Sequence, residues 1–189
     1  MMRAGAALLF LGAALMLTAC EEAEPGAPQA NGTASTDADT PQPARIDPSR
    51  LPGRTPFTLP AVQQAFPGLE VVAVLEDPAR GELPRFDVRA PGDTAPLYRL
   101  TPDWTRGLVG EVATDHPAIS GPGGLQTGTT RRAEALAALN GAPCEPLTGP
   151  GAPPFACEAN TDGAVLRLEF AGEAADAVLV RLVWLPALP

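Results

Sequence analysis

The sequence predicts an α+β fold, a mostly antiparallel β-sheet carrying two short helices. Three observations predict it. Runs such as Arg85-Phe86-Asp87-Val88-Arg89-Ala90 and Ala164 to Phe170 alternate polar and apolar residues with the two-residue period of a half-buried strand. With 19 Gly and 23 Pro, the chain is punctuated too often for long elements. Only two segments combine helical spacing with start and stop signals. A helix, a Gly stop and antiparallel strands occur twice in that order. The domain therefore reads as two similar halves, sharing one sheet or packing two sheets together, unless the recurrence is only that of common helix caps.

The N-terminus comes first in the chain and has its own logic. Arg3 precedes Ala4 to Leu17, an apolar run too short to span a bilayer, so residues 1–19 read as a signal peptide. Its ending, Leu17-Thr18-Ala19-Cys20, resembles the lipobox of bacterial lipoproteins. That resemblance implies that Cys20 becomes the mature N-terminus and carries three acyl chains. At about 0.8 kcal/mol per buried methylene, such an anchor is effectively permanent. Glu21 stands where an Asp would signal retention in the inner membrane, so the expected address is the outer membrane, facing the periplasm. The alternative is an ordinary signal peptide cut near Ala19, with Cys20 left as a free thiol.

Residues 20–50 follow as a lipidated terminus and acidic, Pro-rich tether. From Glu21 to about Ser49, Ile46 is the only large aliphatic residue, so the stretch cannot bury enough apolar area to offset its ordering entropy. A coil of about 29 residues reaches about 30 Å.

Residues 51–189 have the length of one domain. Thr58 caps the first helix, Pro60 fits its first turn, and Leu59, Val62 and Phe66 form its apolar stripe, with Phe57 stapled to Val62. Pro67-Gly68 stops it. Leu69 to Glu76 reads as a largely buried strand, turning into Pro84 to Ala90, where Phe86 and Val88 face inward. Ala95 to Thr101 and Gly107 to Asp115 are less regular strands. Thr130 caps the second helix, with Glu134 in its first turn and Leu136 and Leu139 on one face, before Asn140-Gly141 ends it. Phe155 to Ala159 is a weak strand. In Ala164 to Phe170, Leu166, Leu168 and Phe170 point inward and Arg167 and Glu169 outward. Ala177 to Leu185 closes the domain.

Three cysteines in an exported chain leave an odd one. Lipid on Cys20 resolves this, because Cys144 and Cys157 then pair as a structural disulfide across a Gly- and Pro-rich loop. A ring of about 14 residues contributes about 3 kcal/mol by chain entropy. A redox pair or a metal site is the alternative for these cysteines. It fits poorly, since there is no Cys-x-x-Cys and His116 is the only histidine. No metal and no cofactor is expected.

Catalytic groups are scarce. Asp115, His116 and Ser120 lie close in sequence and invite a triad, yet no Gly-x-Ser-x-Gly elbow is present and the segment is a Pro- and Gly-rich loop. Glu76 with Asp77 invites a carboxylate pair, but adjacent acids at a strand end usually mark a turn. Gly121 to Thr130 leads into a helix, as an anion site would, but lacks a Gly-Lys-Ser/Thr ending. No catalytic residue is assigned.

Charge narrows the partners. The net charge is -9, and from Leu51 onward 16 acids face 10 arginines, which disfavours nucleic acid. Arg131 and Arg132 oppose the dipole of the second helix, so they are expected to be exposed, where an acidic partner could meet them.

Thr55-Pro56-Phe57-Thr58-Leu59, then Gln64-Ala65-Phe66-Pro67-Gly68 and a strand, resemble the start of the family that includes the RpoE-regulated lipoprotein. Gly123-Gly124-Leu125-Gln126-Thr127-Gly128-Thr129 before a helix, with Cys144 and Cys157 downstream, is also similar. The resemblance implies an envelope lipoprotein of unassigned activity, linked in some members to envelope stress. It brings no catalytic residues. Two functions follow as expectations. The first is a non-enzymatic module, anchored to the membrane through lipid on Cys20, that offers a sheet edge or face to a periplasmic protein or glycan. The second is an enzyme or small-molecule binder with a loop-built site, for which a deep pocket lined by two or more of Arg99, Glu111, Asp115 and His116 would speak.

Overall fold

Eight extended runs, β1 (Glu70–Val74), β2 (Arg85–Arg89), β3 (Tyr98–Asp103), β4 (Leu108–Thr114), β5 (Cys144–Pro146), β6 (Phe155–Thr161), β7 (Ala164–Phe170) and β8 (Leu179–Pro186), pair into one antiparallel sheet. The order across it is β1-β2-β3-β4-β8-β7-β6-β5. The two helices are α1 (Leu59–Ala65) and α2 (Arg132–Ala138). This is a computed structural model, and it describes residues 46–75, 84–149 and 152–187, all within the unit Thr40–Pro189. Cys20, the segment up to residue 45 and the Glu76-Asp77 pair lie outside the described residues.

The strand order makes the two halves explicit. Each half is a helix followed by a four-stranded meander, and the last strands of the two, β4 and β8, run antiparallel at the centre with Ala113 opposite Val183. A two-fold axis perpendicular to the sheet therefore exchanges the halves. An irregularity recurs with them. Thr101 opposes Glu111 but Pro102 opposes Val109, so Gly110 is an extra residue in β4; Glu169 opposes Arg181 but Phe170 opposes Leu179, so Val180 is an extra residue in β8. Each bulge lies three residues before the central pair. Bulges sharpen local twist, and their matched placement is a likeness that shared helix caps do not explain.

One face of the sheet carries the core. Cross-strand neighbours Phe86, Leu100, Val112, Trp184 and Leu166 form a buried row, and Leu182, Leu168 and Cys157 form another beside it. Helix α1 adds Val62 and Phe66, both fully buried, with the Phe66 ring 5.5 Å from that of Tyr98. Phe57, just before the helix, places its ring 4.6 Å from Phe86. Thr58 takes the extended N-cap conformation and Pro60 sits in the first turn, as expected, but Leu59 of the stripe is exposed. In α2 the cap is Arg131 rather than Thr130. The Thr130 hydroxyl instead accepts the Gln126 N–H at 2.8 Å, and the Glu134 carboxylate accepts the Arg131 N–H at 2.9 Å. Asn140 and Gly141 leave the helix with φ of 55° and 76°.

Three further features depart from the sequence reading. β1 buries only Val71, because it is an edge strand with a neighbour on one side. β5, three residues long, carries too little pattern to be read from sequence. The tether boundary moves too, since Ile46 packs against the core and Pro48–Arg50 forms a 3-10 turn over the second half of the sheet.

The opposite face is charged, and its ion pairs explain its burial. Glu111 and Arg181, each two residues before the central pair, meet at 2.7 Å, and Ala113 and Val183 are buried. Arginine stems can cover such small residues while their heads stay wet. Arg85 with Asp87, Arg99 with Asp115 and Arg167 with Glu158 add pairs at 2.7–2.8 Å. Glu169, expected to point to solvent, has a side chain only 5% exposed, 3.7 Å from Arg181. Burial raises its carboxyl pKa, outweighing the pull of Arg181, with Glu111 adding to the rise. A raised folded-state pKa means stability that is full below the unfolded carboxyl range, about 4.3, and lost as pH rises through the folded value. Between pH 4 and pH 7 the native protein should therefore lose stability relative to Glu169→Gln in urea titrations. A relative gain with rising pH would contradict the assignment.

Candidate functional site

Among the described residues, a cleft lies on the helix-bearing side of the sheet. Its volume is about 510 Å³, and its lining comes from the 3-10 turn, the loop at Ser120, Gly121 and Pro122, the β6–β7 turn, and two sheet aromatics, Tyr98 and Trp184. The turn is held by Asp47. Its carboxylate accepts the Ser49 N–H at 3.1 Å, the Ser49 hydroxyl at 2.5 Å and the Arg50 Nε–H at 3.0 Å. The Ser49 hydroxyl bond, first among these, holds the Asp47 carboxyl below the usual carboxylate range. On the other wall Gly121 donates to Leu125 O at 2.7 Å, and a Cβ there would stand 3.1 Å from Leu182 Cδ1. The missing side chain lets this loop approach β8.

Tyr98 and Trp184 are 7% and 2% exposed. Buried Tyr and Trp normally spend their polar atoms on a partner. Here neither the phenol hydroxyl nor the indole N–H makes a hydrogen bond among the described residues. Burial pushes the Tyr98 phenol pKa up, so it stays a protonated donor. At the β6–β7 turn, Asp162 is exposed and has no ion-pair or hydrogen-bond partner among the described residues.

The groups singled out from sequence do not converge here. Nδ1 of His116 accepts the Ala118 N–H at 3.2 Å, whereas the Ser120 hydroxyl accepts Nε2–H of Gln126 at 3.0 Å. No triad forms. Arg99 pairs with Asp115 and Glu111 with Arg181 on the charged face, so these four do not line the deep pocket that would have spoken for an enzyme. Asp115 alone of the four borders a shallow, mainly apolar depression with Pro117 and Leu179. The Gly121 to Thr130 loop uses its amides internally: Gly124 bonds Gly121 O, Gln126 bonds Thr130 Oγ1, and Gly128 bonds Leu179 O. Arg131 is exposed as expected, but it donates to Asp176 O at 2.9 Å. Arg132 is half-buried, donating to Ala174 O and standing 5.2 Å over the Phe155 ring.

Cys144 and Cys157 are opposite each other across β5 and β6 and are joined, with Cα atoms 4.0 Å apart. The bridge pins the short edge strand β5 to the sheet. Among the described residues, no three His, Cys, Asp or Glu side chains cluster as a metal site requires.

No protein-family profile matches the chain, and no curated protein matches it. A similar structure has been solved. It is the uncharacterized protein yfeY from Escherichia coli, 15% identical, covering 72% of this chain and 94% of that one with a TM-score of 0.48.

Tyr98 and Trp184 had a sequence signal only as strand residues. The strand pairing places them on the core face, but no local pattern tells which core aromatics the loops leave open.

Proposed function

We propose that the chain is a lipoprotein of the bacterial cell envelope, anchored by lipid on Cys20 in the outer membrane and facing the periplasm, with a non-enzymatic binding module as its domain. One observation carries this reading. The bond between Cys144 and Cys157 uses two of the three cysteines and leaves Cys20, at the end of the apolar leader, as the third. A structural disulfide suits an oxidising compartment, and the likeness of Thr55 to Gly68 to a family of envelope lipoproteins supports the same address and a link to envelope stress. For a periplasmic protein partner the sheet offers Leu75, 85% exposed, and Trp104, 60% exposed, at the ends of β1 and β3 that lie on the same side.

A second reading, a small-molecule-binding protein with a loop-built site, is favoured by the cleft with its unspent polar groups. The anchor is tested by Cys20→Ser expressed in cells fed labelled palmitate. The native chain should mature and take up label, while the variant should persist as an unlabelled precursor. Normal maturation of the variant would remove the lipoprotein reading.

A further inference from the structure

We propose that the cleft between the 3-10 turn and the Ser120 loop binds a neutral saccharide unit; this rests on the small-molecule-binding reading above. Its volume, about 510 Å³, falls within the range of about 300–1,000 Å³ usual for small-ligand sites. The ligand class follows from which groups are unspent. Trp184 can only donate, whereas the Tyr98 hydroxyl both donates and accepts. Asp162 can only accept. A matching ligand must therefore accept at the buried aromatics and donate at the rim.

Vicinal hydroxyls do both. A carboxylate or fully ionised phosphate only accepts, and it would face the charges of Asp47 and Asp162; Arg50 is already paired with Asp47, and Arg54, whose guanidinium stands beside Gly163, is left to offset Asp162. An alkylammonium only donates, so it would satisfy Asp162 and leave the indole N–H unpaired. An apolar ligand would cover the cleft and leave these groups without a partner. Two further hydroxyls, of Ser49 and Ser120, line the same cleft. Each already makes one hydrogen bond, with Asp47 and Gln126 respectively, and a hydroxyl has capacity for more. The requirement for mixed donors and acceptors is what separates this site from an anion or cation pocket.

The chain itself supplies the reporter. It has two tryptophans, Trp104 and Trp184, so Trp104→Phe leaves Trp184 in the cleft as the single fluorophore. The full mature chain, held in a zwitterionic detergent without sugar headgroups, is titrated with N,N′-diacetylchitobiose and maltose, and separately with glucuronate and ethylammonium. Saturable change of Trp184 emission is expected with at least one neutral disaccharide, and glucuronate and ethylammonium should bind at least tenfold more weakly. Tyr98→Phe, which keeps the ring, should weaken saccharide binding about tenfold, and Asp162→Asn several-fold, with thermal melts confirming that both variants fold. Response to glucuronate or ethylammonium alone would overturn the saccharide class and leave a small-molecule site standing. No response to any probe, or unchanged binding in both variants, would overturn the cleft as a binding site, leaving the lipid anchor to its own test.

Discussion

Phe170→Ala is expected to destabilise the domain by about 3–5 kcal/mol, the range for truncating a fully buried aromatic side chain. Phe170 is 0% exposed and sits in register between Phe155 on β6 and Leu179 on β8, so three strands of the second half lose a shared contact. The residue also lies at the bulge, where pairing slips past Val180, and the sheet there has little freedom to collapse into the space left. Domains of this size have total stabilities of about 5–15 kcal/mol, so the loss removes a large share. Urea unfolding of the purified domain-bearing chain should show a much lower midpoint with an unchanged slope. A shift worth under about 1 kcal/mol would mean that the second half is not packed as described.

Gly110→Ala is the second large effect, and its cause is collision rather than cavity. A Cβ on Gly110 would lie 2.7 Å from Asp103 N and 2.9 Å from Pro102 C. Both are backbone atoms of the neighbouring strand and cannot swing aside. Overpacking of this kind costs about 1–3 kcal/mol and occasionally more. Its φ is outside the left-handed region, so the requirement for glycine is steric. Gly172→Ala is the matched control: nothing lies within 4 Å of its added Cβ and its φ is ordinary. The control should melt like the native protein while Gly110→Ala melts well below it; equal melting would show that the β3–β4 bulge is not formed.

Much of the fold was legible because local patterns carry it. Ala164 to Phe170 was read with the bounds it has in the structure, since strict alternation of Leu166, Leu168 and Phe170 with polar neighbours admits only one facing. Thr58 and Pro60 marked the start of α1, and Asn140-Gly141 the end of α2, because caps act within one turn. Other parts failed for reasons just as specific. Val71 to Leu75, five consecutive apolar residues, look central by composition, and only the sheet order shows β1 at an edge. Glu169 sits on the polar side of its strand, as alternation demands, but Arg181 and its surroundings bury it there. Thr130 looked like a cap because threonine often is one; the competing bond to Gln126 is invisible without the loop.

The candidate site was less legible than the fold. Asp115, His116 and Ser120 drew the eye through proximity along the chain, but the loop spends each on a neighbour. The cleft gathers Asp47, Tyr98, Asp162 and Trp184 from four distant stretches, and no spacing rule joins them.

The sequence by itself determined the α+β class, the two helices, most strands and the pairing of Cys144 with Cys157, because periodicity, caps and cysteine count are local or compositional. Only the tertiary structure decided that both halves share one sheet, that Gly110 and Val180 bulge at matching places, and that Tyr98 and Trp184 meet an open cleft. Those outcomes depend on which strands become neighbours and which loops cross them, and long-range packing settles both.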